Sequence, residues 1–298
     1  MNVKSKGDQT FQIIINIILF IVCILAVAPV ILLISSSLTS EKELISNGYS
    51  FIPQDFSLES YQYLGHKSKD IVNAYGITLI ITAVGTCISL LITPLLAYPL
   101  SRPEFKHRNK VTFFVFFTML FNGGIVPSYI MWTQFFGMKN NILSLIIPGL
   151  LMNAFNVILM KNYFAQNIPN EVIEASRIDG AGEFFIFFKI VLPLSLPIMA
   201  TVGMFVGLSY WNDWTNGLYY ITKPSLFSLQ NLLNRILQDV QYLASSTELS
   251  QTVGADIELP AVGIRMAISV IGLLPILIIY PFFQKYFAKG ITIGAVKG

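Results

Sequence analysis

The chain has 298 residues, of which 54% are hydrophobic and only 12% charged, about half the charge of an ordinary globular protein. That composition excludes a water-soluble domain, and two cysteines and two histidines are too few for a disulfide scaffold or a metal site. The net charge of +3 is modest, and the orientation of a membrane protein accounts for it without nucleic acid.

Charged residues are absent from six stretches: Gln9–Ser40, Ile71–Ser101, Val111–Met138, Asn140–Met160, Ile190–Asn212 and Met266–Gln284. A bilayer is crossed by roughly 20 apolar residues at about 1.5 Å rise each. The expected fold is therefore all-α integral membrane, with six transmembrane helices. A transmembrane β-barrel would need alternating segments of about ten residues, which these continuous runs are not.

In chain order, Lys4 and Lys6 precede the first stretch, whose apolar body exceeds the roughly 7–15 residues of a secretory signal core, so it reads as a retained anchor. The polar segment that follows is punctuated by Asn47-Gly48 and Pro53, and no role is legible in it. The loop Arg102 to Lys110 reads as an orientation determinant. Asn122-Gly123-Gly124 with Pro127 is expected to break the third span locally. Asn153 and Asn156 are expected on nearly one face of the fourth, turned to a pathway or holding helices together.

Between the fourth and fifth spans, Lys161 to Lys189 is too charged to insert and too apolar for a plain linker. Asn170 after Pro169 is the expected N-cap, Glu171 suits the positive end of the helix dipole, and Asp179-Gly180 forms the stop. Phe184, Phe185, Phe187 and Phe188 are expected as an apolar stripe on a second helix, which makes the segment an elbow. In the third outward loop, Leu226, Leu229, Leu232, Leu233, Ile236, Leu237, Val240 and Leu243 recur every three or four residues, predicting an amphipathic helix from Ser225 to about Ser245.

The side holding both termini and the elbow carries twelve basic and six acidic residues, a net of +6. The other side carries seven and ten, a net of −3. Both termini are thus expected in the cytoplasm. No phosphate-binding loop occurs, no Asp, Glu, Lys or Arg lies inside the six stretches, and no nucleophile has a base at readable spacing. The driving force is expected to come from another chain, and no enzymatic activity from this one.

Glu174-Ala175-Ser176, three residues, Gly180, nine residues, Ile190, one residue and Leu192-Pro193 resemble the EAA signature of ABC importer permeases, with Ser176 in place of the second alanine. Asn122 through Pro127, Trp211-Asn212-Asp213-Trp214 and the run Gln284 to Gly298 resemble the carbohydrate branch of that family, whose members import oligosaccharides. The resemblance implies a type I importer in the bacterial cell membrane, with a second homologous permease, two ATP-binding cassette subunits and an extracellular solute-binding protein. It implies no cofactor on this chain, with ATP and Mg held by the ATPase.

The implied organisation is a cytoplasmic tail at 1–10, a first transmembrane helix at 11–34, an extracellular segment at 35–70, a type I core at 71–287 with the elbow at 169–189 and the outward loop at 213–265, and a tail at 288–298. The elbow would couple to the ATPase through Val172, Ile173, Glu174, Ala175, Ser176, Ile178, Asp179 and Gly180. Substrate-path candidates are Asn122, Asn153, Asn156, Tyr210, Trp211, Asn212 and Trp214, the aromatic ones equally suiting an interfacial belt. Gln230, Asn234 and Gln241 are candidates for binding-protein contact, and a membrane-surface helix is the alternative there. A permease for peptides or amino acids, and an autonomous secondary carrier, remain open readings.

Overall fold

The computed structural model describes the backbone of residues 6–245 and 261–295, and side-chain surroundings over 10–242 and 261–281. The expected tail residues 1–5 and 296–298 and the outward-loop stretch 246–260 lie outside the described residues. The architecture is helical, and a single bridge between Thr39 and Phe56 is the extended pairing among the described residues.

α1, Lys6–Ser37, runs unbroken through Pro29. α2, Glu41–Ser46, starts at Ser40, whose Oγ accepts the Glu43 amide, and α3 is Glu59–His66. α4, Ser68–Ser101, is a 34-residue rod containing Pro94 and Pro99. α5, Arg108–Leu120, turns through 110° into α6, Ile125–Ile130, which continues as a π-helical turn, Met131–Phe135. The expected break of the third span is thus present: Gly124 has φ 87°, a conformation glycine adopts without a Cβ clash, and its amide donates to Asn122 Oδ1 at 2.9 Å.

The fourth charge-free stretch is not one helix. α7, Leu143–Ile146, stops before Pro148 and Gly149, the latter at φ 72°, and α8, Ala154–Asn167, begins only after Asn153. α9 is Asn170–Ile178. α10, Glu183–Ile186, a π-helical turn at Phe187–Val191 and α11, Leu192–Leu194, form one run, from which α12, Leu196–Trp211, departs at 81°. Pro193 and Pro197 flank this bend and lack the amides that would carry the helix ladder across it. The fifth charge-free stretch is therefore bent near its start, as a pair of prolines there implies.

α13 is Thr215–Tyr220, and α14 is Leu229–Ser245. The outward amphipathic helix begins four residues later than the sequence suggests, because Pro224–Leu226 forms a separate 3-10 turn. α15, Ala261–Ala295, ends the described chain. Among the described residues three helices, α1, α4 and α15, are long and apolar enough to cross a membrane, or up to five spans if each bent pair is one. The sixth expected span is the split fourth stretch, which does not meet that measure.

The chain divides into two compact units, Met1–Ser68 with Arg235–Pro275, and Lys69–Asn234 with Ile276–Gly298. In the first, Ser37 Oγ and Tyr61 OH lie 2.9 Å apart, and the buried Glu41 carboxylate accepts the amides of Val262 and Gly263 at 2.9 Å, capping α15. A negative group there offsets the positive end of the helix dipole. In the second, Tyr98, Val115, Met160, Phe164, Ile186, Phe187, Val202 and Tyr210 form the main core, drawn from α4, α5, α8, α10 with the π-helical turn after it, and α12. A smaller cluster joins Ile81, Leu145, Ile146 and Ile221.

Candidate functional site

The elbow is built locally and then bolted to the core. At its C-terminal end the Gly180 amide donates to the Arg177 carbonyl and the Ala181 amide to the Ser176 carbonyl, each at 3.0 Å, which is a Schellman stop. Gly180 holds φ 80° there, as the Asp-Gly stop predicts. At the other end Pro169 is the cap and Asn170 is already helical. The expected capping by Asn170 is replaced by a long-range bond, since its Oδ1 accepts Arg102 Nη1 at 3.0 Å.

One face of α9 is rooted and the other is bare. Ile173 is 2% exposed within the core, whereas Val172 is 39% and Ile178 85% exposed. The three apolar anchors therefore divide, one holding the elbow and two facing outward with Glu174 and Ala175. Ser176 is partly buried, and its hydroxyl donates to the Val172 carbonyl at 2.7 Å, so the departure from alanine is satisfied within the helix. Asp179 is exposed at the helix end. The phenylalanine stripe divides too: the π-helical turn that begins at Phe187 breaks the 3.6-residue register, so Phe187 packs 5.5 Å from the Tyr98 ring while Phe184, Phe185 and Phe188 stay exposed.

Two arginines hold the elbow. Arg177 on α9 meets Glu183 at 2.9 Å and Glu104 at 3.7 Å. What burial it has lowers its pKa, but the hydrogen bond and charge of Glu183 and the charge of Glu104 prevail and raise it. Arg102 is only 4% exposed, and burial lowers its pKa. Sequence reasoning treated Arg102 as one more loop charge and missed this placement, which is tertiary and leaves no local signal.

The substrate-path candidates separate into several places. Asn122 is exposed at the break before α6. Asn153 is the cap of α8, its Oδ1 accepting the Phe155 amide at 2.9 Å, so it does not share a helical face with the buried Asn156. Tyr210 is fully buried and donates to the Ile146 carbonyl at 2.7 Å, leaving its hydroxyl no freedom for a sugar. Trp211 is buried, while Asn212 and Trp214 are exposed beyond α12. Gln241 is exposed on α14, and Gln230 and Asn234 are half-buried.

A cavity of about 460 Å³ lies beside Trp211, lined by Thr82, Thr86, Gly203, Met204, Ile279 and Tyr280 among others. The hydroxyls of Thr82 and Thr86 are buried without a hydrogen-bond partner among the described residues. Its walls are otherwise apolar and lack the array of donors and acceptors that a hydroxyl-rich ligand requires.

Residues 84–293 match the family described as binding-protein-dependent transport system inner membrane component. The polygalacturonan/rhamnogalacturonan transport system permease protein YtcP of Bacillus subtilis is 36% identical over 292 residues, 98% of this chain and 99% of that one. The arabinooligosaccharides transport system permease protein AraQ of Halalkalibacterium halodurans is 28% identical over 303 residues, 99% of this chain and 100% of that one. Among solved structures, a chain of a bacterial ABC transporter involved in the import of the acidic polysaccharide alginate superposes with a TM-score of 0.77 at 30% identity, covering 96% of this chain and 100% of that chain.

Proposed function

Because the chain belongs to the family of binding-protein-dependent transport system inner membrane components, we propose that it is a permease subunit of an ATP-driven ABC importer that carries an oligosaccharide into a bacterial cell. The chain is the non-catalytic membrane subunit, and ATP and Mg belong to a partner ATPase. It works with a second permease of the same kind, two ATP-binding cassette subunits and an extracellular solute-binding protein. Both termini and the elbow face the cytoplasm.

The observation that carries this reading is the elbow itself. A short helix rooted by Ile173 and presenting Val172 and Ile178 outward leaves apolar surface uncovered in a charged segment, which marks a docking face. Glu174 is exposed beside it to meet a basic group on the ATPase. Asn122, Asn212 and Trp214 are the exposed polar and aromatic groups offered to the sugar, and Gln241 with its neighbours faces the binding protein. The names of the relatives support a carbohydrate over a peptide or amino acid.

Mild-detergent purification of the tagged chain from its native membrane tests the assembly. A second permease of this family and an ATP-binding cassette subunit should copurify in stoichiometric amounts. Recovery of the chain alone, active as a carrier in vesicles without any ATPase, would overturn the proposal.

A further inference from the structure

α4 is tied to the elbow at one end and to the start of α14 at the other. Arg102 directly follows the last residue of α4, and its guanidinium bonds Asn170 Oδ1 at 3.0 Å and the Phe164 carbonyl at 3.4 Å while lying 5.1 Å from the Tyr98 ring centre. Tyr98 OH in turn donates to Glu183 Oε2 at 3.4 Å. The first residues of both elbow helices, Asn170 and Glu183, are thus held by the final turn of α4.

At the opposite end, the fully buried Thr78 Oγ1 accepts the amide of Leu229, the first residue of α14, at 2.8 Å. Asn73 Nδ2 donates to the Ser225 carbonyl at 3.0 Å. Thr78 and Arg102 are 24 positions apart along the sequence, about 36 Å of helix. A continuous helix of that length moves its ends together more readily than it compresses.

We propose that α4 is the rod that carries displacement of the elbow to the start of α14, with Arg102 and Thr78 as its two positioning residues. The proposal rests on the reading of the elbow as the ATPase contact. It gives Arg102 a mechanical role beyond membrane orientation. It also connects the nucleotide state to the segment that faces the binding protein. The same rod gives the binding protein a route by which to act back on ATP hydrolysis.

The test uses the assembled importer in lipid nanodiscs with an Ile178→Cys reporter. ATP hydrolysis is measured with and without solute-binding protein preloaded with a pool of oligogalacturonides and alginate oligomers. Arg102→Gln and Thr78→Val should each lower the ratio of stimulated to basal hydrolysis by about fivefold or more. The double variant should fall no further than the worse single one, and Arg102→Lys, which keeps the charge but not the fork, should recover part of the ratio. A role in folding alone would lower both rates together and leave the ratio unchanged. An unchanged ratio in Arg102→Gln, or independent multiplicative losses in the double variant, would overturn the rod. Absence of an Ile178→Cys crosslink to the ATPase in the otherwise unaltered complex would overturn the elbow reading, and the rod with it.

Discussion

Gly180 carries the sharpest single-residue consequence. Its φ of 80° lies in the left-handed region, and no atom lies near the position a Cβ would take, so a substitution there costs conformation and not space. Alanine should cost about 1–2 kcal/mol of elbow geometry, asparagine less, and valine most. Transport per assembled complex is predicted to fall in the order Asn, Ala, Val. Equal transport by all three variants would contradict the fixed turn.

Asp213 makes a second residue-scale prediction. Its Oδ1 accepts the amides of Thr215 and Asn216 at 3.1 and 3.2 Å, whereas Oδ2 is buried with no hydrogen-bond partner among the described residues. Burial raises its pKa, against the lowering effect of those hydrogen bonds. A carboxyl raised on folding contributes its stability fully below the unfolded value of about 3.9 and loses it as pH climbs through the folded value. Thermal unfolding from pH 4 to 8 should therefore show the native protein losing stability relative to Asp213→Asn as pH rises. Asp213→Ala should be about 1 kcal/mol less stable than Asp213→Asn at every pH, because the cap is gone. Gly180 was legible because an Asp-Gly stop is a local signal. Asp213 and Arg102 were not, because a charge count weighs all loop charges alike and burial depends on residues distant in sequence.

Among the elements, the contact of α4 with α12 depends on Gly85, where an added Cβ would overlap the Tyr210 ring. Gly85→Ala would push that ring off the Ile146 carbonyl, so a loss of about 1–3 kcal/mol in detergent is predicted from overpacking. Tyr210→Phe should cost about 1–3 kcal/mol by leaving the carbonyl unpaired. A thermal midpoint unmoved by both changes would show that the tyrosine is not a packing residue. On α14, photo-crosslinkers at the exposed Gln241 should capture loaded binding protein more efficiently than those at the half-buried Gln230 and Asn234. Failure at all three would remove this helix from the docking surface. The leucine period exposed α14 in the sequence, but its start was displaced because Pro224 opens a 3-10 turn before Leu229. Asn153 was misplaced for a similar reason: periodicity was carried through Pro148 and Gly149, where the backbone leaves the helix.

For the whole molecule, absence of charge marked the apolar stretches, and their breaks were legible only in their glycines and prolines. Val111–Met138 and Ile190–Asn212 are bent, and Asn140–Met160 is split, because glycine and proline break helices without adding charge. None of the most apolar window of α1, within Thr10–Ser37, is buried, so that surface suits lipid. The predicted orientation is read by an impermeant thiol reagent on intact cells in a background lacking Cys23 and Cys87. Ser50→Cys should be modified and Asp179→Cys protected, and the reverse pattern would invert the topology.

Oligosaccharide transport by this chain is proposed to occur only when an ATPase drives its elbow. Its most direct measurement is uptake of labelled oligosaccharide by proteoliposomes containing both permeases and the ATPases, with external binding protein and internal ATP. Uptake is predicted with hydrolysable ATP, none with a non-hydrolysable analogue, and none after Gly180→Val in a complex that still assembles. Uptake by this chain without the ATPases, or unimpaired uptake by the Gly180→Val complex, would contradict it.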